Sequence, residues 1–435
     1  MPNFRTLIVA GIALPLTLPL TLPAQSSIAA RVAAAPDGEV RMTYAARANA
    51  CGDGKDVVAI GRALNVYSSM ETFGRWSGVT CVPGPARVAL SVRDHQIVGI
   101  RPHVGGAWKA GEDVTDLGRV PARDAAAFFL SLVPQLGARS RVNPLLPAAL
   151  ADSAQIVPDL LRFARVSALP RETRRRAVHW VGVLGDASAV APLTALARGE
   201  SDARLNADDP GPGDGLQSAA TGALAMLEDG VGLETLRDLA RHGPPATRKS
   251  AVFWLGQSDD ARSRALVRTV IEDERETEAV RGAAIFALGQ GDGVTTGDVK
   301  FLQDIFPRLP SDRLKERVLM AMSQGDSDAG ARWLLAVARD ERLPVEVRKK
   351  ALFWAGQGHA RVADITALYA SLRDPRLREH AIFVLSQRNE EGATDALIRI
   401  ATNDEDRAMR KKALFWLTQK NDPRVTKLIS DMVLR

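Results

Sequence analysis

The phrase ALFWLTQ at Ala413–Gln419 has two earlier counterparts, ALFWAGQ at Ala351–Gln357 and AVFWLGQ at Ala251–Gln257. Alignment on its first residue gives a column of Ala177, Ala220, Ala251, Ala284, Val318, Ala351, Ala381 and Ala413, in steps of 43, 31, 33, 34, 33, 30 and 32 residues. A near-constant period inside roughly 20–50 residues means that one supersecondary unit is stacked repeatedly, each copy burying the face its neighbour offers. The long first step carries a polar, Gly/Pro-rich insertion, GESDARLNADDPGPGDG, at Gly199–Gly215. At 435 residues the chain would in any case outgrow a single core.

Helical side chains advance by about 100° per residue, which assigns faces to the phrase. With the column as position zero, positions +3, +4 and +7 share its side, so the Trp and Leu of ALFWL are expected to point inward with the small Ala. Position +2 lies opposite and holds His179, Gly222, Phe253, Phe286, Met320, Phe353, Phe383 and Phe415. Position +6 extends that stripe with Gln257, Gln290, Gln324, Gln357, Gln387 and Gln419, and position −2 adds Lys249, Lys349 and Lys411. The intervening helices have apolar stripes of their own: Ala393, Ala396, Leu397, Ile400 and Ala401 in one, Val425, Leu428, Ile429, Met432 and Val433 in another. Asp374-Pro375 and Asp422-Pro423 set a capping carboxylate before a first-turn proline.

Units such as VRKKALFWAGQ (Val347–Gln357), MRKKALFWLTQ (Met409–Gln419), VRGAAIFALGQ (Val280–Gln290) and TRKSAVFWLGQ (Thr247–Gln257) resemble the bacterial HEAT repeats, also called bilin-lyase HEAT-like repeats. The likeness covers residues from about 155 to 435 in eight units; the unit at Ala220 has lost most of the motif, and that at Val318 has Lys315 in place of Arg. It implies a mainly α protein, a right-handed α-solenoid of helix pairs in which the phrase is the second helix and lines the concave surface. It also implies a structural role for the position −3 arginines, Arg174, Arg248, Arg281, Arg348, Arg378 and Arg410. They would pair with carboxylates a few residues earlier, such as Asp340 before Arg348 or Asp374 before Arg378.

Similar repeats usually place a polar residue at position +2, so the Phe row departs from the pattern. Phe253, Phe286, Phe353, Phe383 and Phe415, with Gln257, Gln290, Gln357, Gln387 and Gln419 beside them, suit a partner protein or an extended peptide. The other reading is that each Phe packs sideways on the next unit while the amides ladder between units. The enzymatic alternative implied by the resemblance is a lyase-like protein whose cavity holds a pigment or other flat ligand.

The first 150 residues read differently. Arg5, the apolar run Leu7–Pro23 and small residues around Ala24 have the layout of a secretory leader, expected at 1–24, and Pro15, Pro19 and Pro23 make the run short and kinked for a membrane span. Export to a periplasmic or extracellular space makes Cys51 and Cys81, the two cysteines, a structural disulfide that stabilises by roughly 3 kcal/mol. Residues 25–38 read as a flexible lead-in and 39–120 as a small β-containing domain. Its strand candidates are EVRMTYA from Glu39, RVALSV at Arg87–Val92 and QIVGI at Gln96–Ile100, the last two joined by a turn at Arg93-Asp94-His95. Ala125, Phe128, Phe129, Leu132 and Val133 mark a helix in a connector over 121–150, ahead of the solenoid at 151–435.

Charge argues against a nucleic-acid groove. Of the net +6, residues 1–150 hold 15 basic against 10 acidic residues, whereas 151–435 hold 42 against 41. The six histidines are scattered, and no HExxH, CxxC, GxSxG, phosphate loop or calcium-loop spacing occurs. These readings predict a non-catalytic protein-binding scaffold of the bacterial envelope, with no cofactor, no metal and no catalytic residue.

Overall fold

A computed structural model describes residues 27–61, 63–66, 81–136, 142–199, 215–290, 294–324, 328–420, 422 and 424–426. The expected leader, most of the insertion, and Leu428, Ile429, Met432 and Val433 lie outside the described residues. The chain divides into two compact units, the first reaching to Ala154 apart from residues 61–63, which group with the second, and the second running from Gln155.

In the first unit, β1 (Gly38–Tyr44) is flanked by β6 (Ala86–Arg93), antiparallel, and β8 (Val114–Arg119), parallel. β6 returns as β7 (Gln96–Val104), completing the order β7-β6-β1-β8. The β6–β7 turn is the Asp94-His95 pair, both left-handed at φ 50° and 57°, the geometry that matches strand twist in a two-residue hairpin. The Asp37 carboxylate accepts both turn amides, which hold it below its ordinary pKa. Val40, Met42 and Tyr44 alternate into the core with Val88, Leu90 and Val92.

Onto this sheet pack α2 (Ala122–Leu136) and α3 (Leu145–Leu150): the Tyr44 and Phe129 rings lie 6.3 Å apart, and the Tyr44 hydroxyl donates to the Pro147 carbonyl at 2.7 Å. The stretch expected as a connector is therefore part of the first unit. Residues 27–38 also differ from a flexible lead-in. They form α1 (Ile28–Ala33), capped by Ser27, with Ile28 and Val32 buried one turn apart and Arg31 bonded to the Leu117 carbonyl. A second sheet, β4-β3-β2-β5, joins β4 (Ala63–Val66), β3 (Val57–Ile60), β2 (Ala50–Gly52) and β5 (Val82–Pro83). The expected Cys51–Cys81 disulfide is present, fastening β2 to the start of β5.

The second unit is a run of helix pairs. In order they are α4 (Val157–Arg165) with α5 (Arg171–Leu184), α6 (Val190–Arg198) with α7 (Leu216–Met226), and α8 (Leu233–His242) with α9 (Pro245–Gly256). Next come α10 (Ala261–Glu272) with α11 (Glu278–Leu288) and α12 (Thr296–Ile305) with α13 (Asp312–Gln324). The last pairs are α14 (Asp328–Arg339) with α15 (Val345–Gln357), α16 (Val362–Ser371) with α17 (Pro375–Ser386), and α18 (Glu391–Asn403) with α19 (Arg407–Thr418). Each recurrence of the phrase forms a second helix, and every second helix packs on the next one. Asp374 caps α17 ahead of Pro375, and the stripe Ala393, Ala396, Leu397, Ile400, Ala401 is buried as read.

The phase of the second helices corrects the sequence reading. Position +1 joins positions zero and +4 in the core, where Val252, Ile285, Leu319, Leu352 and Ile382 are fully buried. Position +3 is buried at Trp180, Ala223, Ala287, Ala321 and Val384, but Trp254, Trp354 and Trp416 are only half-buried. The Trp occupies the seam with the preceding second helix. Where position +3 is small, the preceding helix has glycine at +5 and the backbones close up. A Cβ on Gly256 would lie 2.6 Å from that of Ala287, and one on Gly289 2.5 Å from that of Ala321. Where +3 is Trp, the preceding helix carries Ala225, Ser323 or Ser386 instead of glycine. Trp254 then covers Gly222, and Trp416 meets Phe383 at 5.4 Å. Two adjacent aromatics thus serve two surfaces, the seam and the open face.

The position −3 arginines are structural, but with other partners. Arg281 donates to the Ile271 carbonyl at 2.9 Å and Arg348 to the Ala338 carbonyl at 2.9 Å, so each satisfies an orphan carbonyl at the end of its pair's first helix. Arg248 is bidentate with Glu276 and Arg378 bonds Asp404, carboxylates that follow rather than precede them. Asp340 and Asp374 are taken by Arg342 and Arg376, two residues on, and the Arg342 hydrogen bonds lower the Asp340 pKa to about 2.

Candidate functional site

The side of the second helices turned away from the core collects positions −2, −1, +2 and +6. Phe253, Phe286, Phe353 and Phe383 lie there half-buried, and Phe415 is 54% exposed. Each Phe touches the edge of its neighbouring Trp where one exists, with centroids 5.4 Å apart at Phe253–Trp254, 5.3 Å at Phe353–Trp354 and 5.2 Å at Phe415–Trp416. Phe253 also stacks on Phe286 of the next unit, 6.3 Å and 19° from parallel. The row therefore packs sideways in part and keeps an open face in part.

Of the amides, Gln257, Gln387 and Gln419 are C-caps of their helices. Gln387 and Gln419 donate to the hydroxyls of Ser386 and Thr418 at 3.2 and 3.3 Å, within their own units. Gln357 closes α15 and is exposed, and Gln290 follows α11 half-buried. Burial holds the His179 and His380 imidazoles, on the same helices, below their ordinary pKa, the latter helped by Lys349.

Between these helices runs a succession of polar contacts that the sequence reading did not resolve. Position −1 of one helix meets position −2 of the helix before. The Ser250 and Ser218 hydroxyls are 3.0 Å apart, Lys350 pairs with Glu316 at 2.7 Å, and Lys412 pairs with Glu379 at 2.5 Å. The contact is absent at the other four junctions. Arg175 and Lys349 are matched with Ala219 and His380 and pair instead within their own helices, with Glu172 at 3.7 Å and Glu346 at 3.3 Å. On either side of α11 the positions are held by Gly282 and Ala283. A cleft of about 510 Å³ opens there across α7, α9, α11 and α13. Its lining includes Lys249, Phe253, Gly282, Ala283, Phe286 and Arg317. Gly282 is buried, and a Cβ there would meet the Arg317 and Leu314 side chains at an ordinary contact distance of 3.6 Å or more, so the floor is made of small residues without being overpacked. At the rim Arg313 and Glu278 are 3.8 Å apart, whereas neither Lys249 nor Arg317 has a carboxylate partner among the described residues. The site offers aromatic walls, a small-residue floor and two surplus cations.

Residues 233–323, from α8 into α13, match the family model of HEAT repeats. No curated protein matches the chain. Among solved structures, human deoxyhypusine hydroxylase in complex with glycerol is similar at 17% identity and a TM-score of 0.27, over 58% of this chain and 91% of that one. The complex of CpcE and CpcF of phycocyanin lyase from Nostoc is similar at 18% identity and a TM-score of 0.30, over 57% and 94%. A lipovitellin structure described by its lipid–protein interactions gives 14%, 0.46, 80% and 41%. At these scores the likenesses carry no statement about activity.

Proposed function

We propose that the chain is a non-catalytic binding scaffold whose row of second helices receives a segment of a partner protein. The observation that carries this reading is the aromatic row, which keeps an open face along the side turned from the core and borders a cleft large enough for several side chains. HEAT repeats, which this chain contains, generally mediate protein interactions, and this supports the same reading. The residues assigned to the partner are Phe253, Phe286, Phe353, Phe383 and Phe415, with Gln257, Gln290, Gln357, Gln387 and Gln419 at the rim. Among the described residues no helix is long and apolar enough to cross a membrane. The leader-like residues 1–24 and the Cys51–Cys81 disulfide support an exported protein of the bacterial envelope. A lyase-like activity remains the alternative, and a chromophore retained on purification would favour it.

The test is an array of random short peptides probed with the purified chain, with Phe415→Ser, and with Phe353→Ser, Phe383→Ser, Phe415→Ser combined. The reading predicts binding that falls by roughly tenfold in the combined variant while its circular dichroism melt stays close to the parent. Binding that is unchanged, or a combined variant that melts early while Phe415→Ser still binds fully, would make the row packing only.

A further inference from the structure

From the two cations beside α11 that have no carboxylate partner among the described residues, Lys249 and Arg317, we infer that the cleft across α9, α11 and α13 is specific for acidic peptide segments, taking an apolar side chain together with the carboxylates beside it. The inference rests on the scaffold reading and adds the chemistry of the occupant.

Elsewhere on this face Arg175, Lys349, Lys350 and Lys412 all have carboxylate partners. At three junctions positions −1 and −2 of successive second helices pair with each other: hydroxyl with hydroxyl at Ser250–Ser218, ammonium with carboxylate at Lys350–Glu316 and Lys412–Glu379. The pattern predicts that Arg317, at position −1 of α13, should meet a carboxylate at position −2 of α11. That residue is Gly282. It likewise predicts that Lys249, at position −2 of α9, should meet a partner at position −1 of α11, which is Ala283. One pair of small residues thus removes two contacts at once. It leaves Lys249 and Arg317 lining one cleft with Phe253, Phe286 and the two small residues.

The remaining charged residues of the cleft, Glu278 and Arg313, face each other and leave the balance positive. An occupant complementary to this surface supplies the missing carboxylates, to Lys249 on one side and Arg317 on the other. It also lays an apolar or aromatic side chain against the exposed edges of the Phe253 and Phe286 rings. Arg317 can take a carboxylate in a bidentate fork, and Lys249 as a point charge. A basic segment would meet two uncompensated like charges and is excluded by the same geometry.

Three variants probe this on the random-peptide array, each checked by its melt. Lys249→Glu with Arg317→Glu reverses the surplus charge. Gly282→Glu restores the absent contact to Arg317 from within the protein and fills the floor, so it should bind less while melting no lower than the parent. Lys249→Gln with Arg317→Gln removes the charge alone.

The expected result is enrichment of Asp and Glu next to aromatic or large aliphatic residues for the parent. That enrichment should weaken by roughly tenfold or more in the Gln pair and in Gly282→Glu, and turn toward Lys and Arg in the reversed pair. Binding that depends on the Phe row but shows no acidic preference would overturn the inference and leave the scaffold reading standing. An acidic preference that survives in all three variants would assign it to another basic surface and also overturn the inference. An array with no binding at all would refute both readings.

Discussion

Asp298 offers the sharpest test of how neighbouring units hold together. Its side chain is fully buried at the start of α12, yet it belongs to a network that reaches back to α10 of the preceding unit. The Arg264 guanidinium donates to it at 3.0 and 2.6 Å and Arg268 at 3.1 and 2.6 Å. The Thr295 hydroxyl donates at 2.7 Å and its amide at 3.1 Å, and the Asp298 amide donates back to that hydroxyl at 3.1 Å, which closes a capping box. Every carboxylate lone pair is used, and Arg264 is itself buried at 8% exposure.

Asp298→Ala would leave that guanidinium without its partner in the interior. Breaking one side of a buried pair costs about 3–5 kcal/mol, whereas removing both sides together is often close to neutral. Urea unfolding followed by circular dichroism should therefore show a large loss for Asp298→Ala and a small one for Arg264→Met with Asp298→Leu. In a repeat array the loss should fall on the junction between the α10–α11 and α12–α13 pairs.

The network also sets a pH dependence. Burial alone would raise the Asp298 pKa, but the hydrogen bonds from Thr295, Arg268 and Arg264 outweigh it and leave the group below its ordinary value. A depressed folded pKa contributes stability that is complete above the unfolded value near about 4 and is lost as pH falls through the folded one. The gap between parent and Asp298→Ala should accordingly be largest near neutrality and narrow in acid. A loss below about 1 kcal/mol at pH 7, of the size seen for exposed pairs, would refute the reasoning.

Two further outcomes are expected. Trp254→Ala should cost about 2 kcal/mol, less than the roughly 3–5 of a fully buried Trp, because only its seam side is covered; Phe415→Ala should stay within about 0.5. Thermal melts of the two variants check the order, and a reversed order would place the aromatics the other way round. Reduction of Cys51–Cys81 should destabilise the first unit by about 3 kcal/mol and leave the helical melt of the second unchanged; a coupled shift of both transitions would contradict that division.

The repeat was legible because a period needs only one chain to be seen, and the hairpin because Asp94-His95 is a local signal. The partners of the position −3 arginines were less so. A carboxylate nearby in sequence looked sufficient, but Asp340 and Asp374 are closer to Arg342 and Arg376 than to the arginines they were matched with. The helical phase failed for a related reason. Aromatic bulk at +3 drew the core toward Trp, while the column of Val252, Ile285, Leu319, Leu352 and Ile382 at +1 carried the stronger signal of uniform aliphatic character. The cleft was hidden because it is defined by an absence. Gly282 and Ala283 are unremarkable on one helix and acquire meaning only when positions −1 and −2 are compared across neighbours.

The central claim, that the partner lies along the second helices, is tested most directly by hydrogen–deuterium exchange of the purified chain with and without its best array peptide. The account predicts slowed exchange in the second helices that bound the cleft, 245–256, 278–288 and 312–324, and in those that carry the rest of the Phe row, 345–357, 375–386 and 407–418, with the first unit unaffected. Protection confined to residues 27–154 would contradict it.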